Sequence, residues 1–260
     1  MPLWEAVLLG IVQGITEFLP VSSDGHLVIA QTLLGVREQG LLFVIAVHVG
    51  SLLALLMFYR ARVIELVVGV IGRDAGAFRY VSKLALATLP AVIVGLFFKD
   101  FVESIFRAPW TAGAGLFVTG AFLITTRATQ RSAHGHEPGF SQALWIGCAQ
   151  ALAIAPGISR SGSTIAVALA FGVAPLAAAE FSFLLGIIAI VGAAVLELPE
   201  LLGAPADSLP PLWVGAAAAA LTGLAALALL VRLLRAQVFH WFAGYTFAAG
   251  LAFLAYLALR

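Results

Sequence analysis

The chain has 260 residues, of which 62% are hydrophobic and 10% charged, with a formal net charge of +1 and a mean hydropathy of +1.06. A soluble domain is about 45–50% apolar and about 25% charged, so an ordinary soluble enzyme, a disordered tail and a nucleic-acid binder with its basic surface are all excluded. What is left is a polytopic helical membrane protein, and the single cysteine, Cys148, leaves no internal disulfide.

Met1-Pro2-Leu3-Trp4-Glu5 lacks a basic n-region, and no small-residue cleavage site follows the apolar run, so the first segment is read as retained structure. Residues 3–34 are apolar but interrupted by Leu19-Pro20-Val21-Ser22-Ser23-Asp24-Gly25-His26. Each half is too short for a span, which takes about 20 residues. The segment therefore reads as a re-entrant hairpin. Non-helical backbone at membrane depth is tolerated only where protein or a water-filled cavity covers it. Spans follow at 41–59, 84–98 and 110–126, with Pro90 predicting a kink or tilt in the second. Residues 60–83 and 127–140 read as loops; His134 and His136 in the latter are too few ligands for a metal site. A second interruption, Ala155-Pro156-Gly157-Ile158-Ser159-Arg160-Ser161-Gly162-Ser163-Thr164, splits 141–173 in the same way. Spans at 178–198, 212–231 and 241–259 complete the chain, with 203–211 as a linker.

The two interruptions align at an offset of 137. Gly10 matches Gly147, Gln13 matches Gln150, Val21-Ser22 matches Ile158-Ser159, and Gly25 matches Gly162. One integral membrane domain over 1–260 follows, made of unit one (about 1–137) and unit two (about 138–260). Each unit is a re-entrant hairpin plus three transmembrane helices. An odd number of spans inverts the second unit, and a functional site is expected where the discontinuous helices meet. Arg60, Arg62, Arg73, Arg79, Lys83, Arg127, Arg131, Arg232 and Arg235 fall on one side; Arg37, Lys99, Arg107 and Arg260 fall on the other. The richer side is cytoplasmic by the positive-inside rule. Arg160 alone lies inside.

Ionisable groups within an apolar bundle are costly and mark function. The first interruption supplies Gln13, Glu17, Ser22, Ser23, Asp24 and His26; the second supplies Ser159, Arg160, Ser161, Ser163 and Thr164. Gln13 and Glu17, four apart, share a helix face. Two helix N-termini, several hydroxyls and one guanidinium fork make an anion site suited to phosphate. A serine can take up a phosphoryl group, a histidine can pass protons, and a carboxylate can act as base or hold a divalent metal. Simpler readings stand beside these: a serine capping a helix, Arg160 as ion partner of Glu17, His26 as a hydrogen-bonded core residue, Gln13 and Gln150 as interhelical contacts. His48 and Ser51 sit one turn apart in the first span, and Glu180 sits at the mouth of the fourth; all three read as nearer to structure than to chemistry.

Gln13-x-x-x-Glu17, Pro20-Val21-Ser22-Ser23-x-Gly25-His26 and Pro156-Gly157-Ile158-Ser159-Arg160-Ser161-Gly162-Ser163-Thr164 together resemble the undecaprenyl-diphosphate phosphatase family of the bacitracin-resistance type. The resemblance covers essentially the whole chain. It implies hydrolysis of undecaprenyl diphosphate to the monophosphate, recycling the lipid carrier for peptidoglycan in a bacterial inner membrane, with a site opening to the periplasm. It also implies a divalent cation, Mg²⁺ or Ca²⁺, held at Glu17. By resemblance Glu17 is the essential acid, Ser23 the nucleophile (with His26 or an activated water as the alternatives), His26 a proton-transfer residue and Arg160 the phosphate clamp. Ser22, Ser159, Ser161 and Thr164 then bind phosphate, with Gln13 and Gln150 in support.

This chain departs from the family pattern at two points: the leading motif position is often Glu and here is Gln13, and Asp24 replaces a small hydroxyl residue. The acid-phosphatase-like membrane family is rejected, because no histidine follows Arg160 until His240. The expected partners are the polyprenyl lipid and the bilayer, with no nucleic acid and with a homodimer left open. The rival from another class is a polyprenyl-phosphate flippase or other secondary transporter on the same inverted-repeat scaffold.

Overall fold

The computed structural model describes residues 1–34, 41–196, 203 and 209–259, and every described element is helical apart from one isolated bridge between Gly135 and Val173. The first hairpin is α1 (Leu3–Phe18) and α2 (Ser23–Leu34). Then come α3 (Leu41–Phe58), α4 (Arg60–Ile71), α5 (Ala75–Phe97), α6 (Lys99–Phe106) and α7 (Trp110–Thr129). The second hairpin is α8 (Phe140–Leu152) and α9 (Arg160–Ala170). The chain ends with α10 (Pro175–Leu196), α11 (Leu209–Arg235), a short 3₁₀ turn (Phe239–Trp241) and α12 (Phe242–Ala258).

Four stretches are long and apolar enough to cross a membrane: α5, α10, α11 and the run Phe239–Leu259. The count reaches six if α3 with α4, bent by 78°, and α6 with α7, bent by 96°, are each taken as one span. The protein is thus an all-α polytopic membrane protein. One expectation needs correcting. Residues 60–83 are not a loop: α4 and the first turns of α5 occupy most of them. Arg60, Arg62 and Glu65 mask an apolar set, Val63, Ile64, Val67, Val68 and Ile71, that is enough to wind a helix. In the linker at 203–211, residues 204–208 lie outside the described residues, as do Arg37, Arg260 and the last two residues of the span at 178–198; 209–211 already belong to α11.

Local chemistry explains both interruptions. Leu19 precedes Pro20, whose ring disfavours helical backbone at the residue before it, and Leu19 is extended at φ −65°, ψ 147°. In the second interruption Gly157 adopts φ +88°, a conformation open to glycine at little cost. Backbone groups freed here still need partners. Thr119 of α7 supplies two of them: its hydroxyl donates to the Gly157 carbonyl at 2.7 Å and accepts from the Ser159 N–H at 2.8 Å.

The hairpins meet tip to tip. A Cβ on Gly25 would lie 2.8 Å from the Gly157 Cα, and one on Gly162 would lie 3.2 Å from Pro20 Cβ. At the offset of 137, Gly25 corresponds to Gly162 and Pro20 to Gly157, so the two contacts are reciprocal. The outer faces follow the same pattern: Gly10 lies against Gly215 of α11, and Gly147 lies against Ala87 of α5. Small residues allow this close approach, which drives helix association where lipid removes the hydrophobic difference. Below the tips the core gathers Phe18, Leu55, Leu123, Ile146, Phe181, Phe183 and Leu227, with Phe18 and Phe183 edge to face at 5.9 Å. Leu53, Met57, Leu96, Leu221 and Leu251 face outward and exposed, as a lipid-facing surface requires.

Opposite the hairpin mouths, charged groups tie the ends together. Arg62 donates to Glu180 at 2.9 Å and to Glu65 at 2.7 Å, and Lys83 donates to Glu137 at 2.8 Å. Glu180 is thus paired with Arg62, in the structural role its sequence position suggested.

Gly157→Ala forces an L residue to positive φ against Ala112 and Gly115. We expect it to destabilise the protein by about 1–3 kcal/mol. Gly244→Ala, where a Cβ meets nothing within 4 Å, should change stability by less than about 0.5 kcal/mol. Thermal unfolding of both variants in the same detergent checks the pair.

Candidate active site

The crossed tips enclose a cavity of about 910 Å³. Its polar wall carries Glu17, Ser22, Ser23, Asp24, His48 and Arg160, with Ser159 and Gln150 also on its surface. Arg107, near the N-terminal end of α7, lines its mouth. The cavity lies along the first half of α3 and the last half of α10. The Arg62–Glu180 cluster sits at the other end of those helices.

Glu17 is the hub. One carboxylate oxygen accepts from Arg160 Nη2 at 2.6 Å; the other accepts from Ser23 Oγ at 2.6 Å and from Gln13 Nε2 at 3.0 Å. Gln13 and Glu17 lie one turn apart on α1, so the amide orients the carboxylate from beneath. Arg160 opens α9 and crosses to α10, where Nη1 donates to the Ser182 carbonyl at 3.3 Å. Gly186 makes room for it: any Cβ there would collide with the guanidinium. Glu17 and Arg160 are both largely buried, with side chains 7% and 15% exposed. Ion and hydrogen-bond partners are what make such burial tolerable.

The two interruptions share a cap. Ser22 Oγ accepts from the Gly25 N–H at 3.2 Å, and Ser159 Oγ accepts from the Gly162 N–H at 3.0 Å. Both serines therefore satisfy a helix N-terminus while bordering the cavity. Ser22 holds φ +69°, a conformation that costs a non-glycine residue about 1–3 kcal/mol and clusters at functional sites. It turns the next residue, Ser23, onto Glu17.

The other sequence candidates divide. Ser161 and Thr164 are buried behind the tip: Ser161 Oγ donates to the Leu19 carbonyl at 3.3 Å, and Thr164 Oγ1 donates to the Arg160 carbonyl at 2.6 Å and meets Ser182 Oγ at 2.6 Å. Ser161 ties the second tip to the first, Thr164 bonds the Arg160 backbone, and neither lines the cavity. His26 also faces away. Its Nδ1 donates to the Ser22 carbonyl at 2.8 Å, so Nε2 accepts from the Tyr245 hydroxyl at 2.7 Å, with the rings stacked. Helix phase is the reason: Asp24, Leu27, Val28 and Gln31 take the cavity face of α2 at helical spacing, and His26 lies two residues round from Asp24.

The imidazole on the cavity is His48, a residue that reads in sequence as structural. Its Nδ1 donates to the Val44 carbonyl at 2.8 Å, leaving Nε2 3.8 Å from Glu17 and 3.6 Å from Asp24. The available signal was an ionisable residue in mid-span. Ser51, expected beside it, instead donates to the Val47 carbonyl at 3.2 Å and does not line the cavity.

Among the described residues no three His, Cys, Asp or Glu side chains gather as a metal-ligand set. The donor chemistry fits a hard cation that takes most of its oxygens from phosphate and water, with the carboxylates of Glu17 and Asp24 as the protein's share.

Comparison with known proteins supplies a family. Residues 6–252 match the family described as bacitracin resistance protein BacA. The chain is 42% identical over 251 residues to an undecaprenyl-diphosphatase of Rhodopirellula baltica, with 95% of each chain covered. It is 40% identical over 263 residues to one of Desulfatibacillum aliphaticivorans, again with 95% of each covered. It is 39% identical over 269 residues to one of Geobacter sulfurreducens, with 100% of each covered.

Removing one partner of a buried ion pair costs about 3–5 kcal/mol, because the other charge is left uncompensated. Arg160→Met and Glu17→Gln are each expected to lower stability on that scale, and the double variant by less than their sum. A double-mutant cycle of thermal unfolding reads the coupling.

Proposed function

We propose that this chain, which belongs to the bacitracin resistance protein BacA family, hydrolyses undecaprenyl diphosphate to undecaprenyl phosphate and inorganic phosphate. The observation that carries the reading is the chain of contacts Ser23–Glu17–Arg160. A hydroxyl sits within hydrogen-bond reach of a carboxylate base, and the base is held by a cation that also borders the cavity. This is the geometry of an activated nucleophile.

The terminal phosphate sits against Arg160 and Ser159, whose positions suit a charge-assisted fork. Ser23 Oγ attacks the terminal phosphorus while Glu17 takes its proton. The bond from phosphorus to the bridging oxygen breaks, and undecaprenyl phosphate leaves. Water then attacks the phosphoserine, and His48 Nε2, the unblocked imidazole nitrogen on the cavity, receives its proton. The bond from phosphorus to Ser23 Oγ breaks, Glu17 returns its proton to Ser23, and inorganic phosphate leaves. His26 acts at one remove, holding Ser22 and so the turn that aims Ser23. A Mg²⁺ or Ca²⁺ ion, bound through Glu17 or Asp24 and the diphosphate oxygens, would neutralise charge developing on the phosphates.

In the same reading the protein sits in the bacterial inner membrane with the cavity open to the periplasm. Two features support this: the cavity mouth lies at the helix ends away from the Arg62, Arg79 and Lys83 cluster, and basic residues favour the cytoplasm. The reciprocal contacts Gly25–Gly157 and Gly162–Pro20 support two inverted units meeting near residue 137. A second reading, transport of the product phosphate lipid on the same scaffold, has one observation in its favour. A further cavity of about 550 Å³, lined by Arg62, Tyr80 and Glu137, lies on the far side of the tips.

Phosphate release by purified protein tests the proposal. Glu17→Ala, Arg160→Ala and Ser23→Ala should each reduce turnover by at least about 10²-fold, and His48→Gln should reduce it more than His26→Gln. Near-normal release by Glu17→Ala or Arg160→Ala overturns the site. Chelation with EDTA should lower turnover, and Mg²⁺ or Ca²⁺ should restore it.

A further inference from the structure

The cavity has two unlike halves. At the offset of 137, Thr16 corresponds to Ala153 and Glu17 to Ile154, so the carboxylate of the first hairpin has an isoleucine as its counterpart. Both pairs line the cavity. The apolar half continues along one face of α10. Gly186 meets Arg160, and Ala189, Ile190, Ala193 and Ala194 follow at helical spacing. Ala91 of α5 faces them across the cavity.

The same offset pairs α3 with α10 and α5 with α11. On one side, α11 lies closely along α3: a Cβ on Gly50 would collide with Ala216, and one on Gly215 would meet Phe43 at 2.7 Å. On the other side α5 meets α10 over a short stretch only, and a Cβ on Gly95 or on Gly192 would meet nothing within 4 Å. One interface is closed and its counterpart is a slot. Ile93 and Leu96 of α5 and Val191 and Val195 of α10 are exposed on the outer surface, so the slot leads from the apolar half of the cavity into hydrocarbon.

A polar group waits at the inner neck of that slot. Gln150 is 3% exposed, borders the cavity, and finds no partner for either its amide nitrogen or its amide oxygen. It stands one turn beyond Gly147, where α8 touches Ala87 of α5. Its counterpart Gln13 is bonded to Glu17. Gln150 has no such carboxylate, because Ile154 occupies the matching place. Buried amides without partners are rare in native structures, and this one lies where an anionic oxygen would satisfy it.

We infer that the prenyl tail leaves the site through the slot between α5 and α10, and that the Gln150 amide donates to the tail-side phosphate as the chain turns into it. This rests on the phosphatase reading and adds the path of the lipid. Arg160, Ser23 and Glu17 work on the terminal phosphate; Gln150 holds the one that stays with the product. Only the first isoprene units lie against Ala91, Ala193 and Ala194, and the rest of the tail is in the bilayer.

Three measurements on the full chain test it. Ala193→Trp fills the slot against the first isoprene units, so kcat/KM for both undecaprenyl diphosphate and farnesyl diphosphate should fall by about tenfold while inhibition by inorganic phosphate is unaltered. Leu221→Trp, on the lipid-facing side of α11, should change neither. An unchanged kcat/KM in folded Ala193→Trp overturns the slot. Gln150→Leu should weaken inhibition by undecaprenyl phosphate by about tenfold while leaving inhibition by inorganic phosphate unaltered. The reverse pattern, or no change in either, overturns the role given to Gln150.

Should Ala193→Trp fail to fold, wild-type protein with a prenyl diphosphate carrying a diazirine on its first isoprene units answers the same question. Label on α5 and α10 supports the slot, and label confined to α7 and α12 overturns it. This labelling reads the lipid path even if wild-type protein releases no phosphate, so failure of the function and failure of the slot are separable.

Discussion

A carboxylate and a guanidinium 2.6 Å apart inside an apolar bundle set the terms on which the rest of the chain is arranged. Neither charge is tolerable there alone. Glu17 arrives on α1 and Arg160 on α9, 143 residues later, so the pair forms only when the two hairpins meet. Gly25, Gly157 and Gly162 at the tips keep backbone against backbone, and Gly186 clears the place into which the guanidinium swings. The charge pair requires the crossing, and the crossing requires glycine. The interior of the fold and its chemistry are therefore one problem solved once.

The interruptions are costly in another way, because each exposes backbone groups that a continuous helix would have satisfied. The bonds that satisfy them also build the site. Ser22 and Ser159 cap the inner helices, Thr119 serves both a carbonyl and an N–H of the second tip, and the strained turn at Ser22 delivers Ser23 to Glu17. Where the sequence offers a cap or a nucleophile, the structure separates adjacent residues: Ser22 caps the helix, and Ser23 bonds the Glu17 carboxylate.

What the sequence disclosed and what it hid follow from range. Hydropathy and the Pro and Gly interruptions are local, so the hairpins and the long apolar helices were legible, as was the meeting of Glu17 with Arg160. Helix phase is not local. Whether His26 or His48 reaches the cavity depends on where α2 begins and on which helix packs behind it, and Tyr245 lies 219 residues from His26. The helix at Arg60–Ile71 was hidden for a different reason: Arg60 opens it, and Arg62 and Glu65 fall opposite its apolar face, and a count of charges along the chain does not see faces. Ser161 and Thr164 look like phosphate ligands in the motif. Their spacing from Arg160 instead turns them back onto its carbonyl and onto Leu19 and Ser182.

The chain's departures from its family pattern form a single charge argument. Where the leading motif position is often acidic, Gln13 is neutral, and its amide can donate to Glu17 where a second carboxylate would repel it. A negative charge appears instead at Asp24, beside Gly25 in the tip and partly exposed on the cavity. His48 sits within 4 Å of both Asp24 and Glu17. The site thus holds two carboxylates and two basic groups, Glu17 bonded to Arg160 and Asp24 facing His48. Moving the second acid from beneath Glu17 to the cavity wall keeps the hub singly charged and hydrogen-bonded on both oxygens. It also leaves the other carboxylate on the cavity wall, facing His48. The two residues that break the pattern are therefore coupled, and neither is intelligible without the other.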